Sequence, residues 1–327
     1  MTRPAVPLST ALARGPLVLD GGLSNELEAQ GGDLSGELWT ARLLRDEPRR
    51  VEAAHAAYVR AGARVLITAS YQASFEGFAR AGTGRREAAA LFRRSVALAR
   101  AAAGEHPVWV AASVGPYGAV RADGGEYRGR YGLTVRELAA FHRPRIEALA
   151  EAEPDVLALE TVPDAEEAEA LLRAAAGCGV PVWLSYTVEG DRTRAGQPLA
   201  EAFEAAAGEE QVAAVGVNCC APADAGRAVR TAAEVTGKPV VVYPDSGERW
   251  AGDRGPRDRP DDRDRGTGGD RDAGAGLPGG AWQGPVSWSA DLAGGWAADG
   301  ARLIGGCCRV GPDLIAGLAN EPSLRQR

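Results

Sequence analysis

Asp155-Val156-Leu157-Ala158-Leu159-Glu160-Thr161 is an apolar run that closes on a carboxylate and a hydroxyl. A helical segment, Asp164 to Ala176, follows it, and a second apolar run, Pro181 to Thr187, follows the helix. Runs of this length without polar alternation read as buried strands, and the strand–helix–strand order reads as a parallel unit. Working outward, the unit recurs along the chain. Apolar strands start at Leu17, Arg64, Val108, Asp155, Pro181, Val212, Pro239 and Ala301. Helical segments between them include Arg49 to Ala61, Arg86 to Ala103, Thr134 to Ala152, Pro198 to Ala207 and Ala221 to Val235. Eight such alternations predict an α/β fold, a parallel eight-stranded (β/α)8 TIM barrel formed by residues 1–327 as a single domain. An open doubly wound sheet is the alternative architecture.

Composition narrows the function. The 327 residues carry a net charge of -7, which argues against a phosphate-backbone partner, so no nucleic acid is expected. Met1 to Gly15 has one apolar fragment broken by Pro4 and Pro7, too short for a signal or a membrane span. A soluble, cytoplasmic protein with no membrane partner is the expectation; the oligomeric state is left open. Five cysteines, an odd number, do not read as a disulfide framework, and reduced thiols are expected. Gly77 to Gly84 reads as a loop, and Ser24 as the N-cap of a helix from Ser24 to Gln30. Gly252 to Gly280 holds seven aspartates, six arginines and nine glycines, with Leu277 as its only sizeable apolar residue. Such a segment buries too little surface to offset its ordering entropy, so a disordered loop inserted after the seventh strand is predicted.

In a parallel barrel the C-terminal strand ends converge on one face, where active sites of this architecture lie. Asp20, Ser70, Ser113, Glu160, Asn218, Cys219, Tyr243, Cys307 and Cys308 all fall there. Two vicinal cysteine pairs, Cys219-Cys220 and Cys307-Cys308, end strands six and eight, almost ninety positions apart in sequence. Buried inert thiols are one reading and a thiolate metal site is the other. Consecutive strand residues point oppositely, so Cys307 and Cys308 can share a metal only where the strand has become a turn, which Gly305-Gly306 permits. Cys219 is chosen over Cys220 because it is nearer the strand end. Three cysteines leave one position of a tetrahedral zinc open, the pattern of a catalytic site. A soft site favours a sulfur ligand, and coordination deprotonates a thiol, so a thiol substrate is implied. Asp20 either caps its turn or meets a ligand. Glu160 requires a cation, either a structural arginine or a ligand ammonium. With Ser70 and Asn218 they form the expected substrate-binding set, and an amino-acid thiol is the inferred acceptor.

These residues sit in longer motifs: Leu19-Asp20-Gly21-Gly22, Thr68-Ala69-Ser70-Tyr71-Gln72-Ala73-Ser74, Ala112-Ser113-Val114-Gly115-Pro116-Tyr117-Gly118, Glu160-Thr161, Gly216-Val217-Asn218-Cys219, Val242-Tyr243-Pro244-Asp245-Ser246-Gly247-Glu248 and Gly305-Gly306-Cys307-Cys308. Through them the chain resembles the homocysteine S-methyltransferase family, its S-methylmethionine-dependent members above all, from Leu17 to Ile315. The resemblance implies a (β/α)8 barrel with zinc on Cys219, Cys307 and Cys308, and homocysteine contacts from Asp20 and Glu160. It implies methyl transfer from S-methylmethionine or S-adenosylmethionine to L-homocysteine, giving methionine. Gly22, Asp245 and the Gly252 to Gly280 insertion depart from the family pattern. Tyr71, Tyr117, Tyr243, Trp39 and Trp250 are candidate aromatic neighbours of a sulfonium. The alternatives are a betaine-type or folate donor, or a non-enzymatic zinc-storage or thiol redox protein.

Overall fold

The computed structural model describes residues 3–34, 38–121, 124–251 and 281–324. Eight parallel strands form one sheet: β1 (Leu17–Val18), β2 (Val65–Ile67), β3 (Trp109–Val114), β4 (Val156–Val162), β5 (Val182–Tyr186), β6 (Val212–Asn218), β7 (Val240–Tyr243) and β8 (Ala301–Ile304). The order runs from β1 through β8, β7, β6, β5, β4 and β3 to β2. A parallel bridge between Leu19 and Val65 joins the two ends, so the sheet closes into the predicted barrel and the open-sheet alternative is set aside.

Strand alternation sorts the apolar side chains into two cores. Leu17, Val65, Trp109, Val156, Trp183, Ala214, Val241 and Leu303 point inward and fill the barrel. Val18, Leu66, Val110, Leu157, Leu184, Val215, Val242 and Ile304 point outward beneath the helices. Both faces are covered, which is why β3, β4 and β5 are buried along their whole length.

Several elements differ from the sequence reading. Leu8–Arg14 is a helix whose Leu8, Ala11 and Leu12 join the barrel interior, and Trp109 Nε1 donates to Val6 O at 3.2 Å. It stoppers the N-terminal end of the barrel. Pro7 lies just before its first residue, where a missing N–H costs no helical hydrogen bond, so proline there marks a beginning rather than a break. Phe75–Arg80, which overlaps the first half of the loop expected over Gly77 to Gly84, is a helix capped by Ser74 Oγ, which accepts from Gly77 N at 2.9 Å. Ser24 is not a cap: its helix runs Leu23–Ala29 behind Gly22, with no side-chain cap bond.

The Gly252 to Gly280 insertion lies outside the described residues. Its flanks, Arg249–Ala251 and Ala281–Gln283, pair as an antiparallel ribbon, with Trp250 opposite Trp282. No helix among the described residues is long and apolar enough to cross a membrane.

His55, on the helix Pro48–Arg60, is fully buried, and neither ring nitrogen has a hydrogen-bond partner. Burial pulls it down to about 4 from 6.5. The ring is therefore neutral in the fold, whereas the unfolded chain takes up a proton as pH falls below 6.5. Stability drains as pH drops from about 6.5 to about 4, by about 3 kcal/mol from this residue alone. Replacing His55 by leucine should remove that slope and leave stability at pH 7 equal or higher. Chemical denaturation of both proteins at pH 7 and pH 4.5 checks this; equal acid sensitivity would contradict it.

Candidate active site

The barrel mouth is built on strained backbone that its neighbours hold in place. β4 pairs with β5 through Leu159–Leu184 and then Val162–Tyr186, so one extra residue bulges on β4. Thr161, in the bulge, has φ of +57°, a left-handed conformation that a β-branched side chain resists. Asn218 fixes it twice: its Oδ1 accepts from Thr161 N at 2.7 Å, and its Nδ2 donates to Thr161 Oγ1 at 2.7 Å. The bulge turns Thr161 toward the mouth, where Oγ1 donates to Cys219 Sγ at 3.9 Å.

Cys219 follows β6 with φ of +46°. Its N donates to Tyr243 O at 3.3 Å and its O accepts from Thr187 Oγ1 at 2.9 Å. β8 ends at Ile304, and the next four residues turn across the mouth: Gly306 N donates to Asp20 O at 3.3 Å, Cys307 N to Pro244 O at 2.7 Å. A Cβ on Gly306 would stand 2.2 Å from Val310 Cγ1, so only glycine allows the turn this path. At Gly22 a Cβ would lie 2.6 Å from Cys307 O. Glycine there lets the thiol turn approach the β1 loop.

The three sulfurs of Cys219, Cys307 and Cys308 lie within 4.8 Å of one another. Cys220 faces away, buried in the outer core, and burial pushes its thiol well up. The Cys219 and Cys307 sulfurs lie within bonding range of each other, with their Cα atoms 5.6 Å apart. Two loops converging on one face bring this pair, 88 positions apart, together. The donor set fits zinc. Tetrahedral Zn–S bonds of about 2.3 Å put sulfurs roughly 3.8 Å apart, a spacing within the cluster's 4.8 Å span.

Asp20 and Glu160 face the same mouth, both buried. Glu160 Oε2 accepts from Tyr243 OH at 2.7 Å and Oε1 from Ser113 Oγ. Burial pushes Glu160 up to about 7 despite those bonds. Asp20 Oδ2 accepts from Ile67 N at 2.8 Å, so it ties β1 to β2 rather than capping its own turn. Its Oδ1 is buried without a partner. Burial, and then the charge of Glu160, raise Asp20 well above the usual carboxylate range. Among the described residues no arginine or lysine forms an ion pair with either, so the structural-arginine explanation of Glu160 does not hold. Both acids are therefore buried at one mouth without a paired cation among the described residues.

Ser70 and Asn218 sit at this face with their polar atoms engaged by protein. Ser70 Oγ donates to Ser113 O at 2.8 Å, and Asn218 Oδ1 also accepts from Ser185 Oγ at 2.8 Å. Their place is behind the site, holding strands and the bulge. Tyr243 OH, bonded to Ser185 Oγ at 2.9 Å as well as to Glu160, links the two. Tyr71 is half-buried, within hydrogen-bond reach of the Thr161 side chain. Tyr117 instead packs on Tyr131 and Phe141, with ring centroids 5.2 and 4.9 Å away. The side chains of Trp39 and Trp250 lie outside the described set. Cys178, half-buried, donates to Val180 O at 3.5 Å, remote from this cluster.

A closed parallel barrel whose mouth combines a three-cysteine cluster, two buried acids and the tyrosines Tyr71 and Tyr243 defines a class: (β/α)8 enzymes with a thiol centre. The family model for homocysteine S-methyltransferase matches residues 17–321. The chain is 41% identical over 315 residues to the homocysteine S-methyltransferase of Escherichia coli K12, covering 92% of this chain and 94% of that one. It is 38% identical over 331 residues to homocysteine S-methyltransferase YbgG of Bacillus subtilis 168, covering 96% of each. The solved homocysteine methyltransferase MmuM from Escherichia coli superposes in its metallated form with a TM-score of 0.76 at 38% identity, covering 93% of this chain and 95% of that one. Its oxidised form gives 0.77 at 40% identity, over 93% and 94%. This chain belongs to the homocysteine S-methyltransferase family.

Proposed function

We propose that this protein transfers a methyl group from a sulfonium donor, S-methylmethionine or S-adenosylmethionine, to the thiol of L-homocysteine, forming methionine. The observation that carries the reading is the meeting of the three-thiol cluster with Asp20 and Glu160 at one barrel mouth. Cys219, Cys307 and Cys308, reduced, would hold zinc, which supplies the charge that keeps a substrate thiol deprotonated at neutral pH. Glu160 and Asp20 receive the homocysteine ammonium and so aim its thiol at the cysteines. Tyr71, against Thr161, offers an aromatic face to a sulfonium. Sulfur attacks the methyl carbon, the donor's S–CH3 bond breaks, and its electron pair stays on the donor sulfur, which leaves as a neutral thioether. The protein contributes alignment of the two sulfurs.

The contact between the Cys219 and Cys307 sulfurs favours a second reading, a thiol redox protein. The Escherichia coli relative has been solved both metallated and oxidised, which supports treating disulfide and metal site as two states of one centre. A panel of methyl donors offered with homocysteine to reduced, zinc-loaded protein tests the proposal. Methionine should form with S-methylmethionine or S-adenosylmethionine and not with betaine. No methionine with either sulfonium, alongside reversible disulfide cycling, would favour the redox reading.

A further inference from the structure

One group of three buried ionisable side chains, in mutual contact, lies outside the thiol and carboxylate centre. His142 and Arg145 sit on the helix Val135–Ala150, and Glu167 on the helix Ala165–Ala175; none is more than 1% exposed. Glu167 Oε1 meets His142 Nε2 at 3.0 Å, and His142 Nδ1 meets Arg145 Nη2 at 2.6 Å. The guanidinium has no acceptor capacity, so Nδ1 accepts from it and Nε2–H donates to Glu167. Burial, and then the neighbouring guanidinium, hold His142 well below its usual range, which keeps it in this neutral tautomer.

The far ends of this relay grip main chain in two loops at the barrel mouth. Arg145 donates to Ala73 O, after β2, at 3.3 Å, and to Gly115 O, after β3. Glu167 Oε1 also accepts from Tyr117 N at 2.6 Å. The two loops are tied directly, since Gly115 N donates to Tyr71 O at 3.1 Å. A Cβ on Gly115 would stand 2.6 Å from Tyr71 Cε2, so the tyrosine ring rests on the glycine backbone. The Tyr71 hydroxyl reaches the side chain of Thr161, whose Oγ1 touches Cys219 Sγ. Burying a cation to hold two carbonyls is costly compared with apolar packing, and what a guanidinium fork adds is fixed geometry.

We infer that Arg145, oriented by His142 and Glu167, is a positioning residue for the methyl donor: through the Ala73 and Gly115 carbonyls it fixes the Tyr71 ring beside the thiol centre. The inference rests on the methyl-transfer reading, with a sulfonium donor received against Tyr71. Displacing an aligned group by about an ångström costs up to about a hundredfold in rate. Arg145→Lys loses the fork. Glu167→Gln keeps an oxygen for Tyr117 N and tests the relay if the lysine variant does not fold.

Steady-state kinetics in both substrates, with zinc content and homocysteine titration alongside, provide the test. Both variants should lose about tenfold or more in kcat/KM for the sulfonium donor, while zinc content and homocysteine affinity stay at wild-type values. In a Tyr71→Leu background the same substitutions should have less than about a twofold further effect, because groups acting as a unit are non-additive. Donor kcat/KM within about twofold of wild type in folded Glu167→Gln, or full additivity with Tyr71→Leu, would overturn the inference and leave the methyl-transfer reading standing. Absence of transfer from any sulfonium donor by the wild-type protein would overturn both.

Discussion

Serine at Cys219, Cys307 or Cys308 should abolish stable zinc binding and reduce methyl transfer to background, while Cys178→Ser keeps both. Serine keeps the size of cysteine and removes the soft, easily deprotonated ligand. Each of the three sulfurs shares the 4.8 Å cluster, so no neighbouring thiol stands in for a lost one; Cys220 is turned into the outer core. A free thiol with a pKa near 8.5 is ionised to only about 3% at pH 7, so loss of deprotonation alone costs roughly thirtyfold. Loss of alignment with the donor multiplies that figure. Metal analysis and single-turnover transfer on the four variants check the expectation. Full activity in any of the three ligand variants would remove that cysteine from the centre.

Glu160→Gln should weaken homocysteine binding by roughly thirtyfold or more and leave zinc content unchanged. Removing the charge from a hydrogen-bonded ion pair costs ~2 to 4 kcal/mol, which converts to that factor. The fold should tolerate the change. Both partners of the carboxylate, Ser113 Oγ and Tyr243 OH, are hydroxyls that can turn to accept from an amide. The pH dependence carries a second signature. With its carboxyl raised to about 7, Glu160 is protonated below that pH and cannot pair with an ammonium. Wild-type affinity should therefore fall as pH drops below about 7, and the glutamine variant should lose part of that dependence. Calorimetric titration at pH 6 and 8, with melting curves alongside, reads both effects. Unchanged affinity in a folded variant would take Glu160 out of the substrate site.

The barrel was legible because its grammar is local: eight apolar runs alternating with helices leave few ways to cover both faces of each strand. Closure then places strand ends together whatever their separation, which is how Cys219 and Cys307 meet across 88 positions. Features that depend on one residue's backbone were not legible. Nothing in Leu159-Glu160-Thr161-Val162 announces the bulge that turns Thr161 into the mouth, since it is imposed by Asn218 from β6. Leu8–Arg14 was lost behind two prolines that read as breakers. Ser70 and Asn218 were placed on the correct face, but alternation cannot tell a side chain that meets substrate from one bonded to its neighbours. His142, Arg145 and Glu167 belong to residue types that usually mark the outer face of a helix. Only the loops they hold explain their burial.

The most direct test of the account is the sulfur coordination of zinc in the reduced protein, read by X-ray absorption with and without homocysteine. Three sulfurs and one lighter ligand in the free protein, becoming four sulfurs when homocysteine is added, is the predicted result. A site already closed by four protein ligands, or a coordination shell that homocysteine leaves unchanged, would contradict it.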